Sequence, residues 1–403
     1  MPGTHILVLP PRHGSPFVLP TICSSLQIVR MEKEEFMVEV SEKGKHAYCH
    51  TVHPIFWEWV IQEDTKFFVS YISFFKNILK LSLSGLPLGK LFKDDVLSSP
   101  FSSFFQSLPL LQYLNISEAG LGPEAAVLLS TGLKEHKCIQ VLNISYNSIE
   151  TQGFSALTQV LPSVRTLKVL DLCENGIGAS VDVKVVEALK EAALEEFILE
   201  GNFRSIKNVS DSSAAHMPTR IMNRFHDHDN NIEVMVYEPL LKQLVMNGLP
   251  KYLRVLNYAR CELDDARAKV LVRSLSSLPC IQKLNLAGNK LTSEGATSVL
   301  LWLQENTTLQ ELNLSDNYIT ESCSPILCST ISSHPCLEKL SLMGNFTYGE
   351  ENLHEVLRAA SDRGMKLQPK NFTLNLRLTG IAHLAEVRIQ RQRNVYTGVE
   401  LLI

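Results

Sequence analysis

The chain has 403 residues, 45% of them hydrophobic and 20% charged, with a formal net charge of -4. That composition belongs to a soluble folded protein and excludes a disordered or collagen-like chain, and the balanced charge gives no general reason to expect a nucleic-acid partner. The length exceeds one ordinary globular core, so either two domains or a repeat array in which each unit buries surface only against its neighbours is expected.

Met1 to Leu19 holds only a short apolar run, Ile6 to Leu9, followed at once by Pro10, Pro11 and Arg12. It makes a poor signal peptide, and no uncharged run approaches membrane-spanning length. Nine cysteines, an odd number without framework spacing, point to free thiols in a reducing compartment. A cytoplasmic protein without a membrane partner is therefore expected. Residues 1–77 keep no repeating frame. Leu26 to Val40 alternates loosely, and Ile55 to Phe75 is crowded with aromatic residues such as Trp57, Trp59, Phe67 and Phe74. This region is expected to cap the open end of the repeat array that begins at Ile78.

From Ile78 onward a frame recurs, clearest at Leu309-Gln-Glu-Leu312-Asn-Leu314-Ser-Asp-Asn317-Tyr-Ile319, which fits L-x-x-L-x-L-x-x-N-x-L. It opens at Ile78, Leu111, Ile139, Leu167, Leu194, Leu253, Ile281, Leu309 and Leu337, at spacings of 33, 28, 28, 27, 59, 28, 28 and 28. Two columns outside the motif keep the same register, Leu129/Leu157/Val185/Leu271/Val299/Leu327 and Leu133/Leu161/Leu189/Leu275/Leu303/Ile331. The two columns are four residues apart, which places them on one helical face, while the L-x-L alternation suits a short strand with one face buried. Each unit thus reads as strand, turn, helix, and neither element can bury its apolar side without a neighbour. The motif column Asn147, Asn175, Asn202, Cys261, Asn289, Asn317 and Asn345 is expected to satisfy backbone groups where each strand turns.

The period, the Asn/Cys column and helical stretches such as Leu121-Gly-Pro-Glu-Ala-Ala resemble the ribonuclease-inhibitor-like class of leucine-rich repeats, over roughly Ile78 to Ala360. The resemblance implies an α/β leucine-rich-repeat solenoid, a horseshoe with parallel strands on the concave face, helices on the convex face and caps at both ends. It implies no single function, because the class includes nuclease inhibitors, immune sensors, an activator of the Ran GTPase and cytoskeletal or ciliary scaffolds.

The expected organisation is an N-terminal cap over 1–77, a solenoid over 78–364 and a C-terminal cap and tail over 365–403. In the last, Phe372 to Leu378 reads as a strand and Ala382 to Arg393 as a helix. The 59-residue interval exceeds one 28-residue repeat by 31 residues, and Pro239 to Leu249 still reads as a convex-side helix. The surplus therefore falls at about 205–231, a polar stretch containing His226-Asp-His-Asp-Asn-Asn that is expected to form an exposed loop.

No nucleotide-binding, nucleophile-elbow or zincin motif occurs, so no catalytic residue and no cofactor are assigned. His46, Cys49, His50 and His53 have ligand types, but adjacent Cys49 and His50 do not readily converge on one tetrahedral ion, and no metal is assigned there or at His226 to Asp229. Cys138, Cys280 and Cys336 share one repeat column and read as core or turn residues. The non-motif strand positions face inward. Around the units opening at Leu167 and Leu194 they are Lys168, Asp171, Glu174, Glu195, Glu196 and Glu200, five acids against one base. With Tyr113, Glu118 and Tyr146 these acids make a candidate binding face for a protein partner with a basic surface. The expected function is a non-catalytic interaction scaffold or adaptor, with cytoskeletal or ciliary assembly as one setting. The alternatives are regulation of a small GTPase, for which no long acidic tail follows the repeats, and an immune or ubiquitin-pathway adaptor.

Overall fold

The computed structural model describes residues 25–30, 36–42, 45–52, 78–85, 88–91, 100–178, 182–203, 248–345, 350–366, 372–377 and 399–402. The strands are β1 (Ser25–Arg30), β2 (Phe36–Glu42), β3 (Lys45–Val52), β4 (Lys80–Ser82), β5 (Tyr113–Asn115), β6 (Val141–Asn143), β7 (Val169–Asp171), β8 (Glu196–Ile198), β9 (Val255–Asn257), β10 (Lys283–Asn285), β11 (Glu311–Asn313), β12 (Lys339–Ser341), β13 (Phe372–Asn375) and β14 (Val399–Leu402). They form one sheet, in which β4 to β14 lie side by side in chain order, all parallel. Parallel neighbours need a crossover, and each described crossover is helical: α1 (Leu88–Leu91), α2 (Pro100–Ser107), α3 (Gly122–Glu135), α4 (Glu150–Val160), α5 (Val183–Glu191), α6 (Asp265–Leu275), α7 (Ser293–Glu305), α8 (Ser324–Ser333) and α9 (Glu350–Lys366). This is the expected α/β leucine-rich-repeat solenoid.

The two ends of the sheet differ. Beyond β4 the order continues β1, β2, β3: β1 joins β4 in parallel, with Leu26 opposite Leu81, and β1 to β3 form an antiparallel meander. The N-terminal region thus extends the repeat sheet by strand pairing. The aromatic run at 55–75, the insertion at 205–231 and the helix at 382–393 lie outside the described residues, as does His53. At the other end Phe372 to Asn375 forms β13 as the pattern predicts, and β14 pairs with it.

One face of the sheet is buried. The middle residue of each repeat strand, from Leu81 to Leu374, is at most 2% exposed, and the twelve helical-column residues from Leu129 to Ile331 are at most 3% exposed. Both predicted columns therefore enter one continuous core. At roughly 25 cal/mol per Å² of apolar surface removed from water, this burial is the main stabilising term, and every unit depends on its neighbours for it.

Where each strand turns toward its crossover, the motif asparagine works across two units. Asn289 accepts from the Cys261 and Leu263 amides (3.0 and 2.9 Å) and donates to the Tyr258 and Leu286 carbonyls (both 2.9 Å). Asn147, Asn175 and Asn202 do the same, and Asn317 and Asn345 each accept from one preceding-unit amide. An amide side chain suits the column because it carries donor and acceptor together. Cys261 offers only weak donation, from Sγ to the Leu199 and Ala259 carbonyls (both 3.3 Å). The preceding Asn202 amide then turns to its own unit, donating to the Leu199 carbonyl at 3.2 Å. Between the described asparagines the ladder lacks its acceptor here, where the chain leaves the regular period.

A second device closes helix ends. His136 and His334 follow α3 and α8, and each accepts on Nδ1 amides of the segment leading into the next strand, from Cys138 and Ile139 (3.4 and 3.2 Å) and from Cys336 and Leu337 (3.3 and 2.9 Å). A nitrogen that accepts must be unprotonated. Burial agrees, pushing His334 down to about 4. Arg363, fully buried in α9, reaches the Ile331, His334 and Leu337 carbonyls, capping α8, and lies 5.2 Å from the Phe372 ring centroid.

Replacing Asn289 by Ala leaves buried amides and carbonyls of two units unpaired, so Asn289→Ala is expected to lower unfolding free energy by about 3 kcal/mol in urea titrations. Cys261→Ala in the same column removes only weak sulfur contacts and is expected to cost about 1 kcal/mol. Equal losses would refute the ladder.

Candidate functional site: the inner strand face

The residues flanking each buried strand leucine point away from the core, because strand side chains alternate. From β5 to β8 the first strand position is Tyr113, Val141, Val169 and Glu196, and from β9 to β12 it is Val255, Lys283, Glu311 and Lys339. The third position is Asn115, Asn143, Asp171, Ile198, Asn257, Asn285, Asn313, Ser341 and Asn375. Most of this column serves the frame: Asn143, Asp171, Asn285 and Asn313 each accept, on Oδ1, the amide two residues on (2.9 to 3.1 Å). Over β8 to β13 the face curves into a groove of about 380 Å³.

Just before the motif asparagine comes a rim position in the left-handed region. Glu118, Tyr146, Glu174, Arg260 and Asp316 adopt φ of 51 to 58° there, and Gly201, Gly288 and Gly344 fill the same column. Positive φ is costly for side chains with a Cβ, so five units carry a rim side chain where glycine fits without strain. At Gly201 φ is +75°, which suits glycine, and the Glu174 carboxylate lies over the position, so a side chain there would have to displace it.

The eight expected partner-binding residues occupy this face and rim. Tyr113, Asp171 and Glu196 lie in β5, β7 and β8; Glu195 directly precedes β8; and Glu118, Tyr146, Glu174 and Glu200 lie in the turns after the strands. Tyr146 is half exposed, whereas Tyr113 is partly buried. The Cys173 thiol beside Tyr146, together with burial, raises the phenol's pKa. Burial pushes Cys173 itself up to about 11, so it stays a protonated thiol rather than a nucleophile at neutral pH. Burial also raises the Asp171 pKa, opposed by the Cys173 amide and assisted by Glu200.

The expected tally of five acids against one base changes when the sheet is assembled. Because β8 pairs directly with β9, Glu196 opposite Val255, two arginines from beyond the long interval reach these acids. Glu195 is bridged by Lys168 at 3.3 Å and by Arg254 at 3.6 Å. Glu200 receives Arg260 Nε and Nη2 at 2.9 and 2.5 Å, and Asn257 Nδ2 at 3.1 Å on its other oxygen. Counting Glu118, Asp171, Glu174, Glu195, Glu196 and Glu200 against Lys168, Arg254 and Arg260, six acids face three bases, so this half of the face remains acidic. Strand adjacency across a 59-residue interval is the signal that reading repeat by repeat missed. Farther along, Lys283 and Lys339 share Glu311 at 2.9 and 3.5 Å. Burial works against the charged form of Glu311, but the two lysines outweigh it and hold its pKa below the usual value, while the Glu311 hydrogen bond raises that of Lys283.

No group of three or more metal-ligating side chains converges among the described residues. No described helix is long and apolar enough to cross a membrane.

Among families, the leucine-rich-repeat model matches residues 277–300 and 305–321. The capping protein, Arp2/3 and myosin-I linker protein 3 of Mus musculus is 26% identical over 212 residues, 52% of this chain and 13% of that protein. The ribonuclease inhibitor of Sus scrofa is 27% identical over 197 residues, 48% of this chain and 43% of that protein. The chain thus spans less than half the length of these relatives. Among solved structures, the yeast Rad7 and Elc1 complex aligns with a TM-score of 0.44 at 15% identity, covering 79% of this chain and 72% of that one.

The Arg260–Glu200 pair joins the strands on either side of the long interval and is partly solvent-exposed, at 53% and 21%. A double-mutant cycle of Arg260→Ala and Glu200→Ala is expected to give a coupling of about 0.5 to 1 kcal/mol that shrinks in high salt. Zero coupling would mean that the pair does not join the two strands energetically. By its parallel strand order and its asparagine ladder the chain folds as a leucine-rich-repeat solenoid, its 28-residue units resembling those of the ribonuclease-inhibitor-like class.

Proposed function

We propose that the chain is a non-catalytic scaffold that seats a protein partner on its inner strand face, with the acidic half and its rim receiving a basic surface. The observation that carries this reading is the division of labour between columns. Backbone groups at the turns are satisfied by the buried asparagines, while the rim column holds side chains where glycine would cost the frame nothing. Among them, Tyr146 is a large half-exposed aromatic next to Glu174 in the neighbouring unit, an anchor type that often dominates interface energy. The surplus of three acids on this half would speed encounter with a basic partner and select for it more than it would tighten the final complex.

A cytoplasmic, cytoskeletal setting is part of the proposal. It draws on the mouse relative, whose name describes a linker of capping protein, Arp2/3 and myosin-I, and which shares half of this chain. The ciliary setting draws no such support. Tyr113, Glu118, Tyr146, Asp171, Glu174, Glu195, Glu196 and Glu200 are the proposed contact residues, with Arg254 and Arg260 as the bases that orient Glu195 and Glu200.

The test is affinity purification with the full chain, then with Tyr146→Ala and with the triple charge reversal Glu174→Lys, Glu195→Lys, Glu196→Lys, each checked for folding by circular dichroism. Specific protein partners are expected on the wild type, weakened by about tenfold or more in either variant. An interaction profile unchanged by both would refute the proposed face.

A further inference from the structure

The groove over β8 to β13 has a chemistry opposite to that of the acidic half. Its charged lining is Lys283, Glu311 and Lys339, two ammonium groups sharing one carboxylate, which leaves one positive charge in excess. Glu196 and Glu338 act on Lys283 from the flanks but do not line the groove. At its floor stand Asn285 and Asn313, register partners on adjacent strands. Each spends its Oδ1 on a backbone amide, of Ala287 at 3.1 Å and of Ser315 at 3.0 Å. Their Nδ2 groups make no hydrogen bond among the described residues, so both present N–H donors to the groove. Adjacent strands are about 5 Å apart, a separation one carboxylate bridges by accepting from both amides. One pleat away on the same face stand Lys283, on the strand of Asn285, and Glu311, on the strand of Asn313, with Lys339 on the next strand beside Glu311.

We infer that this groove is a second docking subsite, selective for an acidic peptide segment of the protein partner, whose Asp or Glu carboxylate accepts from Asn285 and Asn313 beside the Lys283–Glu311–Lys339 cluster, which carries the excess positive charge. The inference rests on the proposed use of the inner face for protein binding and adds the chemistry of its second half. The partner that fits the whole face is dipolar, its basic surface over β5 to β8 and its acidic segment over β10 to β12. Charge-assisted hydrogen bonds to a carboxylate are stronger than neutral ones, and placing opposite charges at the two ends fixes the partner's orientation.

The column itself supplies a variant that keeps the fold. Asp171 occupies the third strand position in its unit and still accepts the amide two residues on, from Cys173 at 3.0 Å. Asn285→Asp with Asn313→Asp therefore preserves the backbone hydrogen bonds while replacing both donors by negative oxygens. Fluorescence anisotropy of the full chain with dye-labelled deca-glutamate and deca-lysine peptides is the assay. Saturable deca-glutamate binding is expected on the wild type, weakened by about tenfold or more both in the double Asp variant and in Lys283→Met with Lys339→Met. Binding of deca-lysine by the double Asp variant is expected to be no weaker than by the wild type. Deca-glutamate binding that survives both variants, or is absent from the wild type, overturns the subsite. Displacement by low-millimolar inorganic phosphate reassigns the groove to a small anion and also overturns it. Partner capture that survives the acidic-half variants refutes the inner-face reading, whereas partner capture lost in those variants alongside absent deca-glutamate binding refutes this subsite only.

Discussion

The buried motif asparagines accept amides of the unit before and donate to carbonyls of both units, and most of the architecture depends on that exchange. A strand of three residues cannot stand alone, and a turn this tight would otherwise bury unpaired backbone groups at a cost of about 1 to 3 kcal/mol each. Passing the bond from unit to unit makes each turn followed by an asparagine unit depend on that unit, while the leucine columns make every core depend on the next. Stability is thereby placed in the buried columns, and the outward columns are left to carry other chemistry.

The long interval between Leu194 and Leu253 shows how strict this separation is. On the sheet side nothing is displaced: Leu199 and Gly201 donate to the Asn257 and Ala259 carbonyls, both at 3.0 Å. On the turn side the ladder loses its acceptor at Cys261, and the Asn202 amide is satisfied within its own unit. Tyr258, which takes a leucine position of the motif, fills the core there and packs against Phe203 at 6.2 Å between ring centroids. Extra chain is accommodated where the frame can spare a bond, and the inner face continues uninterrupted across the join.

The frame was legible in the sequence because the same physical demand recurs every 28 residues, so strand leucines, helix columns and turn asparagines each form a vertical series. Outside the repeats the strand at Phe372 to Asn375 was legible from its alternation, whereas the sequence did not foretell that β1 would pair with β4. His136 and His334 escape a repeat-based reading because they recur at only two of the units, although the cysteines two residues on form a recognisable column. The site was legible in kind and not in balance. Glu195 and Glu200 read as unopposed acids because Arg254 and Arg260 stand about sixty residues away in the chain and one strand away in space. The rim was invisible for a different reason: no local pattern announces that Tyr146 or Glu174 will adopt positive φ, since the conformation is imposed by the neighbouring units.

A single frame that continues through the long interval is the claim on which the inner face depends, and residue-resolved amide hydrogen exchange tests it directly. The Leu199, Gly201, Arg254 and Val255 amides, which bond across the interval, should exchange as slowly as Leu286 and Gly288 in the regular stack. Exchange at those four positions much faster than at Leu286 and Gly288 would mean that the chain forms two separate arrays, and would contradict the account.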